Sequence, residues 1–306
     1  MKILFLVICV ASVLNLNAQN YTETELNINN FIKGSLITPN TKSDTLVVLI
    51  GGSGPTDRNG NQRTGQNNSL KKLAQELSKN GLATYRYDKR IFTLIQENAL
   101  VEEQIRFDTF IVDAVSIVDY FKQKGFSTIV LLGHSQGALI ATIAADEREI
   151  SKLICLEGAG QTIDKLIVDQ LKLEAPGLVE NAQQSFNDLR VKGKSEKYSV
   201  GLVSIFRPSV QPFMKSWMQY DPAEELAKIN IPVLIIHGSK DLQVTEEENS
   251  ILKSSNPEAQ FEEIENMNHV LKIIEGDELE NSKSYNEPYR PVSDKLIQVI
   301  LNFIRS

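Results

Sequence analysis

The sequence predicts an α/β fold: a mostly parallel central sheet flanked by helices, with one helical insertion. Three observations predict it. Short β-branched and leucine runs alternate with segments of helical periodicity. The stretch Gly133-His134-Ser135-Gln136-Gly137 lies directly between one such run and one such segment. The alternation stops at about residue 158 and resumes after residue 222.

The elements follow in order. Phe31 to Thr38 is strand-like and Pro39-Asn40 turns it. Thr45 to Ile50 is an unbroken apolar run, the pattern of a strand buried on both faces. Leu70, Leu73, Ala74 and Leu77 fall at helical spacing, closed by Asn80-Gly81. Leu82 to Tyr87 is the next strand, with Asp88-Lys89-Arg90 at its end. An apolar stripe from Phe107 to Phe121 marks a long helix that Gly125 stops. Ile129 to Leu132 is a strand, Ala138 to Ala145 a helix, and Leu153 to Leu156 a further buried strand.

The stretch from 158 to 222 reads as a helical cap inserted over the strand ends, broken at Pro176-Gly177 and at Lys192-Gly193-Lys194. Within its apolar cluster Phe213, Met214 and Trp217 are read as lining a substrate pocket; the alternative, a core internal to the cap, stays open. After Asp221-Pro222 come the strand Val233 to Ile236, a helix from Thr245 with a hydroxyl cap and three early glutamates, and the last strand, Gln260 to Ile264. Glu275 to Arg290 is polar and reads as irregular, and Leu296, Val299, Ile300 and Phe303 give a closing helix.

Composition bounds the function. The chain has 306 residues, 42% apolar and 23% charged, with a formal net charge of −7 and no basic run. That balance argues against nucleic acid or an anionic membrane surface as a partner. Lys2 precedes the apolar run Ile3 to Leu14, too short to span a bilayer, and Ala18 follows at a suitable distance. Residues 1–18 therefore read as a secretory signal peptide and 19–306 as one domain, exported to the periplasm or beyond with no stable membrane association after cleavage. Leu16, large for its place before the cut, leaves an uncleaved anchor as the alternative. Cys155, in an apolar run, reads as an inert buried thiol.

Gly-x-Ser-x-Gly between strand and helix has a steric cause. A serine forced into a tight turn adopts a strained backbone, and side chains two positions either side would collide with that turn. The strain presents Ser135 Oγ, and the helix beginning at Gln136 aims free N–H groups at developing negative charge. The early loop Gly51-Gly52-Ser53-Gly54-Pro55 lacks the Gly-Lys-Ser/Thr ending of a phosphate loop and the third glycine of a dinucleotide fingerprint. It reads instead as the source of one oxyanion-hole donor, the backbone N–H of Ser53, with the N–H of Gln136 as the other.

A serine hydroxyl needs a base to take its proton, and the base needs a carboxylate to fix its tautomer. Of three histidines, His134 neighbours the nucleophile inside the turn and reads as structural, and His237 ends a strand before a glycine and reads as supporting. His269 follows the last strand, where a loop can reach back to Ser135, and Asp241 follows the strand before. Glu265 shares a loop with His269 and is the weaker candidate for the acid.

With Gly-His-Ser-Gln-Gly, the Gly-Ser-Lys-Asp-Leu-Gln-Val loop, Asn-Met-Asn-His and Gly-Gly-Ser-Gly-Pro-Thr-Asp-Arg-Asn-Gly-Asn in view, the chain resembles the α/β-hydrolase superfamily. More narrowly it is similar to bacterial serine esterases allied to dienelactone hydrolases and prolyl-oligopeptidase-like proteins. It departs from the lipase-like branch in lacking a His-Gly-Gly-Gly loop, and from dienelactone hydrolases in having serine rather than cysteine at 135. The resemblance implies an α/β-hydrolase fold and hydrolysis of short-to-medium carboxylic esters by Ser135, His269 and Asp241, with no metal or organic cofactor. A peptidase or thioesterase using the same residues, or a ligand-binding homologue with a slow triad, are the alternatives.

Overall fold

Along Thr45–Ile50 the side chains alternate between two buried clusters, Leu46, Val48 and Ile50 entering one and Val47 and Leu49 the other. Period-two alternation across a sheet covered on both faces is what an unbroken apolar run makes possible. Each fully buried aliphatic side chain contributes about 1.5–3 kcal/mol, so this strand and its neighbours anchor the molecule.

The structure, a computed structural model, describes residues 20–306, and the signal-peptide reading falls outside them. In chain order it contains β1 (Tyr21–Asn27), β2 (Lys33–Pro39), β3 (Thr45–Ile50), α1 (Ser69–Lys79), β4 (Ala83–Tyr87), α2 (Arg90–Gln96), α3 (Asp108–Gln123), β5 (Thr128–His134), α4 (Gln136–Glu147) and β6 (Lys152–Leu156). Then come α5 (Ile163–Glu174), α6 (Val179–Lys192), α7 (Val203–Phe206), α8 (Gln211–Trp217) and α9 (Pro222–Leu226). The chain closes with β7 (Val233–Gly238), α10 (Glu246–Ser255), β8 (Gln260–Ile264), α11 (Glu278–Ser284) and α12 (Asp294–Arg305).

The eight strands form one sheet in the order β1-β2-β4-β3-β5-β6-β7-β8. β1 and β2 are antiparallel to their neighbours; the pairings from β4 through β3 to β8 are parallel. Residues of α3, α4, α9 and α10 cover one face, and residues of α1 and α12 cover the other. This is the α/β-hydrolase fold. The order of strand addition reverses at β3, with β4 on one side and β5 on the other, and at this switch point the loops leaving β3 and β5 part and open a crevice.

Among the described residues no strand lies between β6 and β7. The helices there share a core of their own that includes Phe186, Leu189, Leu202, Phe206 and Met214. Gly193 closes α6 at φ 77°, a conformation that favours glycine.

Two local expectations are corrected, and two elements lie outside the reading. Glu275 to Arg290 is not irregular: it holds α11, capped by the Asp277 carboxylate and burying Asn281 and Ser284. The helix after β7 has Thr245 at its N-cap position, yet that hydroxyl makes no capping hydrogen bond. β1 and α2 lie outside the reading because β1 is a mostly exposed edge strand whose sequence, YTETELN, presents little apolar surface, and α2 has one buried residue, Thr93.

Candidate active site

The turn from β5 into α4 is built as the glycine spacing requires. Ser135 sits at φ 56°, ψ −124°, a region an L residue occupies only when its surroundings hold it there. A Cβ on Gly133 would lie 2.0 Å from the Gly137 carbonyl oxygen, and one on Gly137 would lie 2.2 Å from that of Ile50. Both contacts are impossible. The Ser135 N–H donates to the Leu156 carbonyl at 2.9 Å, which fixes the turn between the ends of β3 and β6.

The loop after β3 closes one side. Gly52 lies so near that a Cβ there would be 3.2 Å from Ser135 Cβ. Ser53 is exposed to the cleft, and among the described residues neither its N–H nor that of Gln136 has a hydrogen-bond partner. The loop is braced: Gln62 Nε2 and Thr56 Oγ1 donate to the Ser53 carbonyl at 2.7 and 3.0 Å. Arg58 fastens its outer part to Asp88 at 2.6 Å. Lys89 Nζ donates to the Gly52 carbonyl at 2.7 Å and also to Gln136 Oε1.

On the other side, His269 Nδ1 lies 2.7 Å from Asp241 Oδ2. Nδ1–H therefore donates and Nε2 is left with a free lone pair. Burial pushes the Asp241 carboxyl up, but the His269 charge and hydrogen bond outweigh it and bring it down to about 2. Backbone N–H groups of Gln243 and Val244 donate to its other oxygen at 2.6 and 3.0 Å. Glu265 is exposed and takes no part.

Two further buried groups complete the surroundings of Asp241 and His269. Glu157, at φ 51° just past β6, is fully buried. Its Oε2 accepts from the Gly238 N–H at 3.1 Å and faces His237 Nδ1 at 3.2 Å. Burial and the facing Asp241 charge hold this carboxyl well above the usual carboxylate range. His134 is the second. Its ring nitrogen Nε2 donates to the His269 carbonyl at 2.7 Å, and burial, then the His269 charge, bring it down to about 3, leaving it neutral.

The cleft around Ser135 has two lobes. One, of about 250 Å³, is lined by His269 and His134 together with Gln62, Thr64, Asn67 and Ser69. The other, of about 240 Å³, runs under the inserted helices and is lined by Leu139, Ile163, Leu166, Ile167 and Trp217. Ser53, Ser135 and Gln243 border both. Trp217 is among the residues lining the second lobe. Phe213 and Met214 are not among the residues lining it: Phe213 packs between Phe110 and Trp217, and Met214 is buried in the core of the insertion.

Sequence reasoning missed Lys89 and Glu157 as parts of this site. For Glu157 the signal was a charged residue set immediately after the apolar run Leu153 to Leu156; Lys89, within Asp88-Lys89-Arg90 past the end of β4, carried no such mark.

An eight-stranded sheet of this order, with a strained serine at the β5 turn and a histidine and aspartate after β8 and β7, defines an α/β-hydrolase. Residues 64–276 match the family model described as "Serine aminopeptidase, S33", and the chain belongs to that hydrolase family. The chain is similar to esterase EstD of Thermotoga maritima, 27% identical over 270 residues; the match covers 84% of this chain and spans 62% of that protein's length. Among solved structures, the fold resembles Est1E of Butyrivibrio proteoclasticus bound to ferulic acid, with a TM-score of 0.58 at 19% identity, covering 92% of this chain and 100% of that one. It also resembles Pyrococcus furiosus esterase Pf2001, with a TM-score of 0.54 at 17% identity, covering 93% and 90%.

Proposed function

We propose that this chain is a serine carboxylesterase working through an acyl-enzyme on Ser135. The observation that carries the reading is the 2.7 Å bond between His269 Nδ1 and Asp241 beside a strained serine that borders the same cleft. His269 Nε2 takes the Ser135 proton as Oγ attacks the ester carbonyl. The Ser53 and Gln136 N–H groups receive the oxyanion, and His269 returns the proton to the leaving alcohol. Water then repeats the sequence on the acyl-enzyme.

The lobes support a finer reading of the substrate. The leaving oxygen has to meet His269, which lines the polar lobe and not the apolar one. The alcohol therefore occupies the polar lobe and a short-to-medium acyl chain the apolar one. The similarity to EstD favours esters as well. The motifs after β3 and around Ser135 support kinship with the esterases allied to dienelactone hydrolases and prolyl-oligopeptidase-like proteins. The apolar run before Ala18 supports export with cleavage of residues 1–18.

The family's description favours one second reading, an aminopeptidase. Such an enzyme needs an anionic group for the substrate's free ammonium, and among the described residues no Asp or Glu lines either lobe. A panel of p-nitrophenyl esters from acetate to palmitate, run beside an aminoacyl amide, separates the two. The esterase reading predicts best turnover at short-to-medium acyl length and little amide cleavage; faster amide cleavage would reverse it.

A further inference from the structure

We infer that Lys89 is a positioning residue for the oxyanion hole, its terminal nitrogen holding the Gly52–Ser53 peptide and the Gln136 side chain in fixed relation. The inference rests on the esterase reading of the site.

Lys89 is 2% exposed and stands two residues past the end of β4. Its two neighbours in sequence are paired with opposite charge, Asp88 with Arg58 and Arg90 with Asp113. Lys89 has no carboxylate partner among the described residues. Its nitrogen is met instead by two neutral oxygens, the Gly52 carbonyl at 2.7 Å and Gln136 Oε1, and by the face of the Phe110 ring at 4.6 Å. A buried lysine without a counter-charge is costly, and a purely structural position would be better filled by an apolar side chain.

What Lys89 touches gives it a role at the site. The Gly52 carbonyl and the Ser53 N–H belong to one planar peptide, so gripping the oxygen sets the direction of the N–H on the opposite side. Gln136 supplies the other proposed donor from its backbone, and holding its side chain restrains the first turn of α4. One nitrogen thus couples two donors that come from chain segments far apart in sequence. Burial brings the Lys89 ammonium down to about 7, but the neutral amine still carries two N–H groups for the same two acceptors. The grip persists through its titration.

The test is Lys89→Met, which keeps length and volume and removes every donor. Activity on p-nitrophenyl butyrate is measured with active-site titration, thermal melting and inhibition by a trifluoromethyl ketone, whose adduct with Ser135 carries the oxyanion. Loss of donor alignment should lower kcat by about 10²-fold with KM changed less than about threefold. The ketone's Ki should rise in parallel. A structural role alone would lower the melting temperature or the titratable fraction and leave kcat per titrated site and the ketone's Ki unchanged. That result, or a folded variant with kcat within about threefold of wild type, overturns the inference. Should Lys89→Met not fold, Gln136→Met decides, because it removes one acceptor and keeps the backbone N–H: a fall in kcat of about tenfold at constant KM supports the inference, and unchanged kcat overturns it. If the wild type turns over no ester, the esterase reading fails first and takes this inference with it.

Discussion

The ring of His134 donates to the backbone carbonyl of His269 across 2.7 Å, and the two rings lie 4.8 Å apart. A residue inside the nucleophile turn therefore holds the loop that carries the proposed base. The carbonyl can only accept, so His134 keeps its proton on Nε2. The neighbour of the serine ties two of the three reacting residues into one unit.

His134→Phe should keep the volume and lose that tie. The His269 carbonyl would be left buried without this partner, costing about 1–3 kcal/mol of stability. The loop's freedom should lower kcat by about tenfold or more, since a small misplacement of a base has large effects. Denaturant unfolding and steady-state kinetics check both. Unchanged kcat in a destabilised variant would show that His134 serves the fold alone.

Glu157 predicts a pH-dependent difference in stability. Its carboxyl is held above its ordinary value of 4.5 by burial and then by the Asp241 charge. A group raised on folding stabilises the folded state below its unfolded value, and that contribution is lost as pH rises toward the folded one. Glu157→Gln removes this titration, so the wild type should lose melting temperature relative to the variant as pH rises above 4.5. Asp241 contributes with the opposite sign, losing stability as pH falls from 3.8 to about 2, which lies below the pH range compared. Parallel melting curves across neutral and alkaline pH would contradict the assignment.

Much of this was legible in the chain itself. The run at Thr45–Ile50 coincides with β3 because a strand buried on both faces must be apolar, and Gln260–Ile264 coincides with β8 although only Ile264 of it is buried. Ser135, Asp241 and His269 could be singled out because each lies at or within a few residues of the end of a strand. The cap's large apolar residues could not be resolved: Phe213, Met214 and Trp217 recur at helical spacing, yet only the helix's rotation decides which faces Ser135. Glu157 and Lys89 went unassigned for a related reason, since their roles depend on partners brought together by the sheet rather than by the sequence.

The apolar lobe should set acyl length. Ile167 lines it without touching the proposed reacting groups, so Ile167→Trp should fill space that a hexanoyl chain needs and an acetyl group does not. The kcat/KM for p-nitrophenyl hexanoate should fall by about tenfold or more, while that for the acetate should change by less than about threefold. An equal fall for both esters would place the acyl group elsewhere.

The claim at the centre is that Ser135 forms the acyl-enzyme, and fluorophosphonate labelling followed by peptide mass spectrometry measures it most directly. The account predicts one adduct, on the peptide containing Ser135, with none in Ser135→Ala and a fall in ester turnover of roughly 10³-fold or more in a variant that melts like the wild type. An adduct on another residue, or near-normal turnover by Ser135→Ala, would contradict it.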